Sequence, residues 1–175
     1  ILPPWESKTE FVGKTLIIEP GSGFGTGSHP TTQLCLRWLE KNLNKNDSVL
    51  DYGCGSGILS IGAKLLGADH VEGVEIDQLA INNANQNNEL NGTAIPFHHA
   101  DTFKSNRKYD VVVANILSSI LIRLTPTIGP LIGHKLVLSG ILKNQSKDVI
   151  HAYLDWIKLS IVEDLDGWVL IAGQL

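Results

Sequence analysis

The chain has 175 residues, 43% of them apolar and 18% charged, with a net charge of −4 and a pI of about 5.8. A chain of that length forms one domain able to bury roughly 70% of its unfolded surface, and the composition is that of a folded globular protein. The acidic balance argues against a basic nucleic-acid face. No apolar run approaches the roughly 18 residues of a membrane span, and no signal peptide is visible, so neither nucleic acid nor membrane is an expected partner. Cys35 and Cys54 give no disulfide framework, which points to a reducing, cytoplasmic setting. The sequence contains no methionine. Residues 1–13, opening Ile1-Leu2-Pro3-Pro4-Trp5, read as the remnant of a linker, with residues 14–175 as the folded domain.

In chain order, residues 15–18 read as a short apolar strand. The segment from Glu19 to Pro30 follows, with Gly21, Gly23, Gly25 and Gly27 spaced by two, a pattern that neither helix nor ladder strand tolerates well. A helix is predicted from Thr31, with Leu34, Trp38 and Leu39 among its apolar positions. Strands and helices then alternate: strand 49–52, helix 58–66, strand 70–75, helix 78–90, short strand 95–98 and strand 109–114. Helix 120–131, broken by Pro126 and Pro130, precedes strand 135–139 and helix 145–157. Residues 159–163 and 168–172 around Asp166-Gly167 predict a closing hairpin. Such alternation means a parallel sheet covered by helices on both faces, with ligands bound at the carboxyl ends of the strands. The hairpin adds one antiparallel strand.

The stretch with the most chemistry is Asp51-Tyr52-Gly53-Cys54-Gly55-Ser56-Gly57, where a strand runs into a loop with glycine at every second place before a helix opens. Glycine lets backbone approach a ligand closely. One β-α-β step on, the next strand ends at Glu75, roughly the 20-residue spacing at which an acid takes nucleotide ribose hydroxyls. The spacing G-x-G-x-G differs from the dinucleotide G-x-G-x-x-G, and neither lysine nor arginine lies between Leu50 and Ala63. A site of this kind suits an adenosine with a zwitterionic, phosphate-free tail, and a pyrophosphate-binding Rossmann domain is the competing interpretation. The loop resembles that of class I methyltransferases, which bind S-adenosylmethionine (SAM), with Gly53 and Gly55 at the cofactor and Glu75 as the ribose acid.

Asn115 closes strand 109–114 at the edge where a methyl donor would face its acceptor. In amide- and adenine-modifying methyltransferases this place reads Asn-Pro-Pro-Tyr. Here Ile116-Leu117-Ser118 follows, which disfavours a planar nitrogen acceptor, and a simple helix cap is the alternative for Asn115. In the Glu19–Pro30 segment, Phe24 among four glycines suggests a lid over a ligand, and Thr31 and Thr32 can cap free amides or reach a ligand carboxylate. His29 is a candidate proton acceptor, since histidine titrates near neutrality. Its alternative is to fix the loop. Asp101 occupies the place where class I enzymes often hold the adenine amine, or else caps a helix. His98 and His99 alternate across a strand and cannot share a metal, and no cluster has zinc-ligand spacing.

Taken together, Phe24-Gly25-Thr26-Gly27, His29, Thr31-Thr32, residues 51–59, Ala114-Asn115-Ile116-Leu117 and Ser139-Gly140-Ile141-Leu142 resemble the PrmA family, SAM-dependent methyltransferases of bacteria acting on a large-subunit ribosomal protein. The resemblance implies the seven-stranded Rossmann-like α/β fold, SAM as cofactor, contacts at Thr32, Gly53, Glu75 and Asn115, and an additional N-terminal substrate-binding domain. Phe24, Asn115 and His29 are the residues it brings to the reacting centre. Two positions depart from the family pattern: Glu19 with Ser22-Gly23 replaces aspartate with Leu-Ala or Met-Ala, and Glu75 replaces the usual aspartate. A related protein-lysine or small-molecule methyltransferase, or a SAM-binding module without catalysis, would share the same core.

Overall fold

The structure is a computed structural model that describes residues 1–6, 13–19 and 27–175. Its centre is a seven-stranded sheet made of β1 (Ser48–Tyr52), β2 (His70–Glu75), β3 (Phe97–His99), β4 (Tyr109–Asn115), β5 (Ile132–Leu142), β6 (Ser160–Leu165) and β7 (Trp168–Gln174). The spatial order is β3-β2-β1-β4-β5-β7-β6. Strands β1 to β5 pair in parallel, and β7 runs antiparallel to both β5 and β6. The expected mostly parallel sheet with one antiparallel strand is therefore present. Its order reverses direction between β1 and β4, which opens a crevice beyond their carboxyl ends.

Helices α1 (Pro30–Asn42), α2 (Ile58–Leu66) and α3 (Gln78–Leu90) lie on one face; α4 (Ser118–Arg123), α5 (Thr125–Ile128) and α6 (Ser146–Ala152) lie on the other. Alternate side chains of the same strands feed two cores. Val49, Val111, Val113 and Val137 pack with Leu34, Leu39 and Ile61 on the first face. Leu50, Val112, Leu136 and Leu138 pack with Leu121, Val149 and Tyr153 on the second. All five positions of β1 are buried, as a strand covered on both sides requires.

Several predicted bounds move for identifiable reasons. Residues 15–18 form no sheet strand; Ile17 makes one isolated parallel bridge to Leu2. The helix expected over 120–131 begins at Ser118, and Pro126 and Pro130, which lack an N–H, split it into α4, α5 and a 3₁₀ turn over Gly129–Leu131. The helix expected over 145–157 stops at Ala152. There Tyr153 is fully buried and donates its hydroxyl to the Leu121 carbonyl at 3.0 Å, while the Trp156 ring takes the space a Cβ on Gly129 would fill. Tertiary packing ends that helix, since no capping glycine does. Cys35 and Cys54 are both free and buried. No helix among the described residues is long and apolar enough to cross a membrane.

Candidate cofactor-binding and active site

A cavity of about 530 Å³ opens at the carboxyl edge of the sheet, where the order of strands reverses. The loop after β1 supplies Gly53, Cys54, Gly55 and Ser56; the end of β2 supplies Glu75; the end of β4 supplies Asn115 and Ile116; and the start of α1 supplies His29, Thr31 and Thr32. The structure thus brings six of the sequence candidates, His29, Thr32, Gly53, Gly55, Glu75 and Asn115, to one cavity. Asp101 is not among its lining: it is exposed, with its carboxylate 3.7 Å from His99 Nδ1. Asp101 lies within the turn over residues 100–102 that follows β3, where its own amide donates to His99 Nδ1 at 3.3 Å. Phe24 and the glycines at 21, 23 and 25 lie outside the described residues.

Glu75 ties the crevice together. Its Oε2 accepts the Gly55 amide at 2.9 Å, and its Oε1 accepts the amides of Ile76 and Asp77 at 2.7 and 3.1 Å. A carboxylate offers about four lone-pair sites, so about one remains open, on Oε2. Asp77 then caps α3 by accepting the Leu79 amide at 2.9 Å.

Two glycines shape the wall opposite. Gly53 and Gly140 have φ of +82° each, and a Cβ on either would strike Ile116, its side chain from Gly53 and its backbone carbonyl from Gly140. The Asn115–Ile116 turn is threaded between them, so the Ser139-Gly140 motif acts by close approach. His29 is the N-cap of α1: its Nδ1 accepts the Thr31 amide at 3.4 Å and lies 2.8 Å from Thr31 Oγ1. This engagement of Nδ1 holds the ring at the start of α1. The ring meets Trp168 edge-on at 5.1 Å. Trp168, Asp77 and Leu79 also line the cavity and were not singled out from sequence. The hairpin turn Asp166-Gly167 was the available signal for Trp168, since it fixes which residue begins the returning strand.

Behind the glycine loop, Asp51 is fully buried. Its Oδ2 accepts the backbone amide and the hydroxyl of Ser60, at 3.0 and 2.6 Å, capping the first turn of α2. Its Oδ1 has no hydrogen-bond partner among the described residues. Burial pushes the Asp51 carboxyl up to about 7; the Ser60 bonds oppose this, and the charge of Glu75 adds to it. Burial likewise raises the thiols of Cys35 and Cys54, with Asp51 adding, so neither is an activated nucleophile. No group of three or more histidine, cysteine or acidic side chains among the described residues could hold a metal ion.

The family of ribosomal protein L11 methyltransferases (PrmA) matches residues 1–175, the entire chain. The chain belongs to this family. A ribosomal protein L11 methyltransferase from Dechloromonas aromatica (strain RCB) is 49% identical over 175 residues, covering 99% of the chain and 59% of that protein. One from Janthinobacterium sp. (strain Marseille) is 44% identical, covering 100% and 58%. The chain thus spans about three fifths of the length of these curated relatives. Among solved structures, a ribosomal protein L11 methylase from Lactobacillus delbrueckii subsp. bulgaricus superposes with a TM-score of 0.85 at 29% identity, covering 98% of this chain and 91% of that one. A 16S rRNA N2 G1207 methyltransferase of T. thermophilus, solved with AdoMet and guanosine, reaches 0.71 at 19% identity over 86% of this chain and 44% of its own, a likeness of fold.

The buried carboxyl has a measurable consequence. Below the ordinary carboxylate range both folded and unfolded chains carry the Asp51 proton; between that range and about 7 only the folded chain keeps it. Folding therefore binds a proton, and the contribution of Asp51 to stability falls as pH rises through this window and levels off above about 7. Asp51→Asn should gain stability relative to the parent chain between about pH 5 and pH 8, by on the order of a few kcal/mol in urea unfolding. A difference independent of pH contradicts a neutral buried carboxyl.

Proposed function

We propose that residues 14–175 form the cofactor-binding catalytic core of a SAM-dependent methyltransferase acting on amino groups of ribosomal protein L11. The observation that carries this reading is the charge of the crevice. Its described lining includes the carboxylates of Glu75 and Asp77 and no lysine or arginine. A pyrophosphate would meet repulsion there, whereas a sulfonium or ammonium is drawn in. Family membership and the L11 methyltransferase names of the relatives support the same substrate.

The residues fit the cofactor. Oε2 of Glu75 keeps a lone pair for one ribose hydroxyl, and the second hydroxyl reaches this carboxylate only by sharing with the Ile76 or Asp77 amide. Gly53 and Gly55 present backbone without side chains, and Thr32, buried in the first turn of α1, offers a hydroxyl and a helix N-terminus to a tail carboxylate. When bound, SAM supplies a methyl group made electrophilic by its sulfonium.

The remaining work of the chain is to orient an amine that arrives without its proton. Asn115, at the end of β4 and in the cavity wall, offers an amide oxygen that accepts an N–H of the amine and directs its lone pair. Apolar Ile116, Leu117 and Trp168 beside it favour the neutral amine over the hydrated ammonium. His29, holding the loop through Nδ1, contributes position rather than proton abstraction. The cytoplasm, where ribosomes are methylated, is the fitting location.

Glu75→Ala should weaken binding of the demethylated cofactor product, S-adenosylhomocysteine, at least about tenfold in calorimetry, by the strength of charged hydrogen bonds. Unchanged affinity in a folded variant contradicts its role. Isotopically labelled SAM offered with ribosomal protein L11 should place label on protein amines, and Asn115→Ala should slow transfer at saturating SAM by about tenfold or more. Label found on ribosomal RNA instead of protein overturns the reading.

A further inference from the structure

Helix α3 carries Asn82, Asn83, Asn85, Asn87, Asn88 and Asn91 in and just after its last turns, a residue type whose side chain competes with helical backbone bonding. Asn87 is fully buried, so its amide needs partners. It finds them outside the helix. Its Oδ1 accepts the Glu19 amide at 2.8 Å, and its Nδ2 donates to the Glu19 carbonyl at 3.4 Å and to the Ser56 carbonyl of the glycine loop at 3.0 Å. One turn on, Asn91 repeats the pattern on Ile17: Oδ1 accepts its amide at 2.9 Å and Nδ2 donates to its carbonyl at 2.6 Å.

The spacing explains why this works. Four helical residues advance about 6 Å, and two extended residues about 6.6 Å. Side-chain amides at positions 87 and 91 therefore match the backbone groups of Ile17 and Glu19 as a neighbouring strand would. The other edge of the same segment is paired as well, with Leu2 N–H donating to the Leu16 carbonyl at 2.9 Å and Ile18 N–H donating to the Leu2 carbonyl at 3.0 Å. Residues 16–19 are thus laced on both sides without joining the sheet. Asn87 extends this lacing into the glycine loop.

We propose that Asn87 is a positioning residue for the cofactor cavity, holding Ser56 of the glycine loop and Glu19 in one hydrogen-bonded unit through α3. Ser56 lines the cavity, and Gly55 beside it donates to Glu75, so the carbonyl that Asn87 fixes sets where the loop presents its backbone. Asn91 secures the same segment but does not reach the loop, which makes it the matched comparison. The inference rests on the SAM reading of the cavity for its affinity arm and on the fold alone for its exchange arm.

The test compares Asn87→Asp with Asn91→Asp. Each keeps an acceptor oxygen and loses the donors, and each should lower the melting temperature. Only Asn87→Asp should weaken S-adenosylhomocysteine binding, about tenfold or more, because one buried bond to the loop is lost and a carboxylate faces the Ser56 carbonyl. Independently of any cofactor, amide hydrogen exchange at Gly55 and Gly57 should quicken in Asn87→Asp and stay at the parent rate in Asn91→Asp. If Asn87→Asp does not fold, Asn87→Ser is read in the same way. Affinity and exchange that change alike in both variants, in proportion to melting temperature, overturn the proposal, as do parental values for Asn87→Asp. A parent chain that binds no S-adenosylhomocysteine overturns the cofactor reading, while the exchange comparison still decides the role of Asn87.

Discussion

The carboxylate of Glu75 joins the loops that follow β1 and β2 beyond the reach of the sheet's own bonds. The last of those backbone bonds run from the Gly53 and Cys54 amides to the Val74 carbonyl, at 2.7 and 3.0 Å, and past them a side chain must connect the two loops. Glu75 does so by taking the Gly55 amide on one oxygen and two amides of its own loop on the other. Charged hydrogen bonds of this kind are stronger than neutral ones. Asp77 caps α3 from the same loop, and α3 returns through Asn87 to Ser56, so the glycine loop is gripped from two sides. These bonds are internal to the chain, and such preorganisation reduces the ordering cost of binding.

Asp51 shows what this arrangement costs. A carboxyl is placed in the core because the glycine loop must turn sharply into α2, and the first turn of that helix needs an acceptor where no solvent reaches. One oxygen meets that need and the other is left without a partner. Buried polar groups left unsatisfied are uncommon, and they concentrate where a structure serves a ligand rather than its own stability.

Legibility in the sequence followed the physics of each element. Strand-helix alternation is read from periodicity because both faces of a parallel sheet must be covered, and β1, β2, β4 and β7 fell close to their predicted places for that reason. The glycine loop and Glu75 were readable because a turn against a ligand admits few residue types. Residues 15–18 misled, since an apolar run of that length has the local pattern of a strand, while its partners, Leu2 and the side chains of Asn87 and Asn91, are distant in sequence. Helix α6 ended early through the burial of Tyr153, and Asp101 stayed outside the cavity through a turn that the sequence does not announce. Trp168 and Asp77 reach the crevice by strand register and by capping, which become visible only when the sheet order is known.

The central claim is that an acidic crevice without lysine or arginine in its described lining selects an adenosine bearing a cationic, phosphate-free tail. The most direct measurement is a calorimetric comparison of SAM and S-adenosylhomocysteine with ATP and NAD on the same chain. SAM and its product should bind, and both phosphate-bearing nucleotides should bind far more weakly. Tighter binding of ATP or NAD than of SAM contradicts the account.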